Sequence, residues 1–106
     1  MEVKNIFKNI PEDLSEEIVE KILEVKNIRI ERIISKGQSS PPNFWYDQNE
    51  NEFVIVVKGR AKLHFMGEEK PILISKGEYT IIPPHVKHRV EWSDPGTETI
   101  WLAVFY

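Results

Sequence analysis

The sequence predicts an all-β protein, an antiparallel sandwich or small barrel, with one α-helix at its N-terminal end. Three observations carry this. From residue 28 onward, short runs of β-branched and aromatic residues are punctuated by turn residues roughly every eight to twelve positions. Only residues 13–25 show the spacing of an amphipathic helix. The chain has 106 residues, enough for one domain with one modest core and not for two.

Composition narrows the function classes. Apolar residues make up 41% and charged residues 29%, the balance of a folded globular chain rather than a disordered one. The net charge is −3, and Arg29, Arg32, Arg60 and Arg89 are scattered, so no nucleic-acid partner is expected. No apolar run approaches the roughly 20 residues of a membrane span, so no membrane partner is expected either. Met1-Glu2-Val3-Lys4 lacks the build of a signal peptide, which makes the cytoplasm the expected compartment. The absence of cysteine excludes disulfides, thiolate metal sites and cysteine nucleophiles.

Taken in order, residues 1–11 carry Ile6, Phe7 and Ile10 among polar neighbours and read as an extended arm ending at Pro11. Residues 13–25 read as the helix. Leu14, Ile18, Val19, Ile22 and Leu23 share one face, Asp13 and Glu16 have capping-box spacing, and Asn27 is the stop. Residues 1–26 thus form an arm and helix, and residues 27–106 the β-barrel of a single domain. Asn27 to Ser35 is the first strand, in which Ile28 and Ile30 alternate with Arg29 and Glu31. Lys36 to Pro42, rich in Gly, Ser and Pro, is loop. Strands follow at Phe53–Lys58, Ala61–Phe65, Ile72–Ile74, Tyr79–Ile82, His88–Trp92 and Thr99–Tyr106, separated by turns at Gly59, Gly67, Gly77, Pro83-Pro84 and Ser93-Asp94-Pro95-Gly96. The last strand is apolar on both faces. One face fills the barrel, and the other needs cover from the N-terminal segment or a second subunit, so a homodimer is expected.

Two stretches stand apart. Residues 45–59 begin as an acidic, aromatic-led run, Trp-Tyr-Asp-Gln-Asn-Glu-Asn-Glu, and turn into an apolar strand that stops at Gly59. Residues 77–88 form a second strand ending in Pro83-Pro84 and two histidines, His85 and His88. Carboxylates and imidazoles delivered to the mouths of two strands indicate one shared site. The chain has no phosphate-binding glycine loop, no Gly-x-Ser-x-Gly elbow and no HExxH helix.

These stretches resemble the paired motifs of the cupin superfamily, G-x5-H-x-H-x(3,4)-E-x6-G and G-x5-P-x-G-x2-H-x3-N. Glu52 stands before Gly59 at the first motif's interval. Gly77, Pro83 and His88 stand at the intervals of the second. The resemblance implies a double-stranded β-helix, a jelly-roll barrel, and a divalent metal held in most members by three histidines and a glutamate. The departures are specific. The first-motif histidines are replaced by Trp45 and Asp47 or by Tyr46 and Gln48, depending on the loop length, as in a subgroup with Trp-Tyr-Asp-Gln at this place. The second motif's glycine is His85 and its asparagine is Trp92.

Glu52 and His88 offer an oxygen and an imidazole nitrogen. With Asp47 or Gln48, and with His85, they would make an N/O donor set for Fe, Mn, Ni or Zn. His88 is otherwise a core histidine satisfied by Glu52 or by a tyrosine. Three functions follow as expectations. The first is a small-molecule-binding cupin with a divalent metal at the barrel mouth. The second is a metal-free acid–base enzyme of isomerase or epimerase type, with His88 as base and Glu52 or Tyr46 as its partner. The third is a non-enzymatic binding or sensing module.

Overall fold

The computed structural model describes residues 1–106 and contains eight strands and no helix. The strands are β1 (Ile18–Val25), β2 (Ile28–Ser35), β3 (Glu52–Lys58), β4 (Arg60–Phe65), β5 (Ile72–Ser75), β6 (Tyr79–Ile82), β7 (His88–Ser93) and β8 (Thr99–Phe105). All pairings are antiparallel. One sheet has the order β1-β2-β8-β3-β6, and the other β5-β4-β7. The inner faces meet in one core, built from Val54, Val56, Ile82, Trp101, Ala103 and Phe105 on the large sheet and Ala61, Leu63 and Ile74 on the small one. The strand order is that of a jelly-roll barrel, as expected, and β8 fills the barrel with Trp101, Ala103 and Phe105.

The expected helix over residues 13–25 does not form. Residues 18–25 are instead the outer strand β1, joined to β2 by the tight turn Lys26-Asn27, where Asn27 takes a positive φ of 68°. The physical reason is a β-bulge. The register shifts between Lys21 and Leu23, so one extra residue flips the alternation mid-strand. The flip removes the strict alternation that marks a strand and leaves apolar residues at 18, 19, 22 and 23, an i, i+1, i+4, i+5 spacing that a helix would also show. The β-branched residues Ile18, Val19, Ile22 and Val25 favour the extended chain.

Two contacts fix the geometry around the site. Gly59, at φ 80°, joins β3 to β4 where an added Cβ would lie 2.6 Å from Thr99 Oγ1 and 2.7 Å from the Glu98 carbonyl. Only glycine fits both that conformation and that space. Arg89 donates to the carbonyls of Ser40, Pro41 and Phe44, and so clamps the long loop that delivers residues 45–48. That loop then pairs with the start of β7. The Tyr46 N–H donates to the His88 carbonyl at 2.7 Å, and the His88 N–H to the Tyr46 carbonyl at 3.1 Å.

Candidate active site

Between the two sheets lies a cavity of about 260 Å³. Its apolar wall includes Val54, Leu63, Ile82, Val90, Trp101 and Phe105, and its polar groups are Glu17, Arg29, Glu31, Tyr46, Gln48, Glu52 and His88. Alternation explains the selection. The Tyr46–His88 pairing turns Tyr46 and Gln48 inward and leaves Asp47 outside, and the register Glu52↔Phe105 puts Glu52 at the cavity end of β3.

His88 and Glu52 form the centre. Both are buried, at 5% and 8% exposure, and His88 Nε2 lies 3.5 Å from Glu52 Oε1. His88 Nδ1 lies 2.8 Å from the Val86 carbonyl. A carbonyl only accepts, so Nδ1 carries a proton and Nε2 is the nitrogen left to exchange one. The Gln48 amide donates to Glu52 Oε1 at 3.1 Å and holds the carboxylate in place. Burial pulls the His88 pKa down, but the Glu52 contact, the Val86 carbonyl and the Glu52 charge outweigh it, so the net shift is upward from 6.5. Tyr46 stacks on His88 with ring centroids 5.6 Å apart. Its phenol is pushed above its usual value of 10.0, first by burial and then by the charges of Glu17 and Glu52, so it stays protonated.

The other two expected ligands sit elsewhere. His85 Nδ1 donates to Asp47 Oδ1 at 2.8 Å, on the outer side of the rim, and the His85 side chain is 68% exposed. His85 takes a positive φ of 63°, held by its N–H to the Gln48 carbonyl. Gln48 rather than Asp47 therefore faces Glu52. Trp45 and Trp92 lie outside the cavity, beside Arg89 and His64 and beside Arg60 and Lys62 respectively.

The family profile described as Cupin domain matches residues 31–105. The chain belongs to the cupin family. Among solved structures, this cupin is similar to a Ralstonia eutropha protein that carries the provisional name mannose-6-phosphate isomerase. The two share 43% identity over 99% of this chain and 97% of that one, with a TM-score of 0.94. It also shares its fold with a cupin superfamily protein of Desulfitobacterium hafniense (12% identity, 91% and 82% coverage, TM-score 0.75). A further match is an RmlC-like cupin of Methanocaldococcus jannaschii with a double-stranded β-helix (21%, 91% and 84%, 0.71). No curated protein sequence matches the chain.

A divalent metal, which the cupin fold implies, needs a donor set that these residues do not supply. Nowhere do three His, Asp or Glu side chains converge in a metal-holding group. Beside His88 the cavity offers only the Glu52 carboxylate and the neutral Gln48 amide, whose nitrogen already bonds to Glu52, while Glu31 is paired with Arg29 and Glu17 contacts Ser35. Asp47 and His85 are engaged with each other outside. The geometry does not fit the group.

The sequence reading missed Glu17, Arg29 and Glu31, all of which reach the cavity. Arg29 and Glu31 alternate with Ile28 and Ile30, a pattern that a solvated strand face shows equally well. Two charged residues share the parity of Ile33 on a strand whose other face is uniformly isoleucine apart from Arg32.

Proposed function

We propose that this cupin is an acid–base enzyme of isomerase or epimerase type, acting on a small carbonyl compound through His88 and Glu52 with no metal-dependent step. The observation that carries this reading is the buried imidazole–carboxylate pair at the wall of the cavity between the sheets. In such a reaction a proton leaves a carbon next to a carbonyl, and an enediolate forms. The proton then returns to the neighbouring carbon or to the opposite face. Nε2 of His88 takes and returns it, since Nδ1 is committed to the Val86 carbonyl. Glu52 stabilises the imidazolium as it forms, and Gln48 fixes Glu52. The protonated Tyr46 phenol is the donor available to the developing oxyanion. The provisional name of the Ralstonia eutropha relative lends support to the isomerase class.

The test is turnover of a panel of aldoses and ketoses by chelator-treated protein. Wild type converts at least one of them, and His88→Gln and Glu52→Gln each lose roughly 100-fold or more, the usual share of general acid–base catalysis. Saturable ligand binding without turnover anywhere in the panel would make the chain a binding module instead.

The functional unit in this reading is a homodimer. The outer face of the large sheet exposes Leu23, Val25, Ile28, Tyr79 and Ile81, with the Phe53 ring tilted against Tyr79 at 5.3 Å. A second copy related by a two-fold axis would set these apolar residues against their own equivalents.

A further inference from the structure

Resting on the reading of the cavity as a ligand site, we infer that it takes an uncharged, polyhydroxylated molecule of about one sugar ring and rejects phosphorylated ones, with Glu17, Arg29 and Glu31 setting that choice. Charge is the first ground. The lining holds three carboxylates, Glu17, Glu31 and Glu52, against one guanidinium, Arg29, and one imidazole, His88. Even with His88 protonated the wall is net negative. Arg29 is the one permanent cation there, and it is already committed. Its Nε lies 3.2 Å from Glu31 and its Nη1 3.3 Å from Glu50, while its Cζ stacks 4.1 Å over the Phe105 ring. A phosphate entering the cavity would meet a guanidinium shared between two carboxylates and the unpaired carboxylate of Glu17, whose nearest polar contact is the Ser35 hydroxyl at 3.4 Å. Burial raises the Glu17 pKa, which is the response of a carboxylate with no cation beside it.

Partnering and size supply the rest. Glu52 is engaged by His88 and Gln48, and Glu31 by Arg29, so these groups offer hydrogen-bonding edges to hydroxyls rather than an unmet demand for a cation. Tyr46, Trp101 and Phe105 give aromatic walls for the C–H faces of a ring. The volume of about 260 Å³ lies just below the roughly 300 Å³ at which pockets for drug-sized ligands begin, so the cavity encloses about one ring and not a whole nucleotide-linked sugar.

The test is binding, read from the Trp101 indole and His88 ring NMR signals at low ionic strength. Inorganic phosphate is the first probe, on wild type, on Glu17→Gln and on the double variant Glu17→Gln/Glu31→Gln. Wild type is expected to show no saturable phosphate shift. The double variant, with Arg29 partly released, gains affinity on the order of 100-fold, and the single variant, whose residue lies on an exposed segment, gains a smaller part. Saturable phosphate binding by wild type, or no gain in either variant, overturns the inference. Neutral monosaccharides and glucosamine form the second arm. At least one neutral sugar shifts both signals, and glucosamine binds within about tenfold of glucose, since Glu31 and Glu52 are already partnered and the unpaired Glu17 is solvent-exposed, where an ion pair is worth little. Tighter binding of the amine, or silence from every neutral sugar, overturns the assignment. No arm measures turnover. Loss of catalysis with the binding pattern intact would sink the acid–base reading alone.

Discussion

At the scale of single residues, the site rests on parity. Gln48 reaches Glu52 and Asp47 does not, because the Tyr46–His88 bridge sets which side chains of the incoming loop face inward. Glu52 and His88 were legible in the sequence, since glycines and a proline at fixed intervals locate them without knowledge of facing. The choice between Asp47 and Gln48 was not legible, because a shift of one residue reverses every side chain. Glu17, Arg29 and Glu31 were hidden for the same reason. A charged–apolar alternation does not say that the charged side faces a cavity. His88 makes the sharpest residue-level prediction. Its folded pKa lies above 6.5, so its contribution to stability is fully present below 6.5 and is lost as pH rises through the folded value. The unfolding free energy of wild type relative to Glu52→Gln, measured by denaturant titration from pH 5 to pH 9, should therefore show its larger gap at the acid end. An NMR titration of the His88 ring should give a midpoint above 6.5 that falls in Glu52→Gln. A midpoint unmoved by that substitution contradicts the pairing.

At the scale of elements, the strands of the barrel were legible from their turns, and the N-terminal strand was not. The bulge after Lys21 breaks the alternation of β1, whose apolar residues at 18, 19, 22 and 23 also fit a helix, and the deciding contact is long-range pairing with β2. Gly59 is the element-scale feature least open to change. Gly59→Ala combines a left-handed backbone with a Cβ pressed against Thr99 and Glu98, and should cost about 2 kcal/mol or more in chemical denaturation. Arg32 has the comparable role at the N-terminus. It is 7% exposed, and it donates to the carbonyls of Ile6, Lys8 and Asn9 and to Glu20. Arg32→Ala should release the arm over residues 5–10, seen as faster amide exchange there, with a loss of about 2–3 kcal/mol. An arm as protected as in wild type would contradict that account.

At the scale of the whole molecule, the large sheet has an inner face that makes the cavity and an outer face with little to cover it. The two-sided apolar character of β8 signalled this in the sequence. On that outer face Arg32 pins the arm and Ile34 and Ile100 are fully buried, while Leu23, Val25, Ile28, Tyr79 and Ile81 stay open. Light scattering at micromolar concentration should therefore return twice the chain mass of 12.5 kDa, and Ile81→Glu should shift it toward the monomer. A wild-type monomer under those conditions contradicts the proposed assembly.

Proton transfer at a substrate carbon is the central claim, and isotope exchange reads it without knowledge of the product. Chelator-treated wild type, incubated in D2O with a substrate from the aldose and ketose panel, should place deuterium at the carbon next to the carbonyl, and His88→Gln should not. Deuterium incorporation by His88→Gln at the wild-type rate would contradict the account, as would incorporation that stops on chelation and returns with added metal.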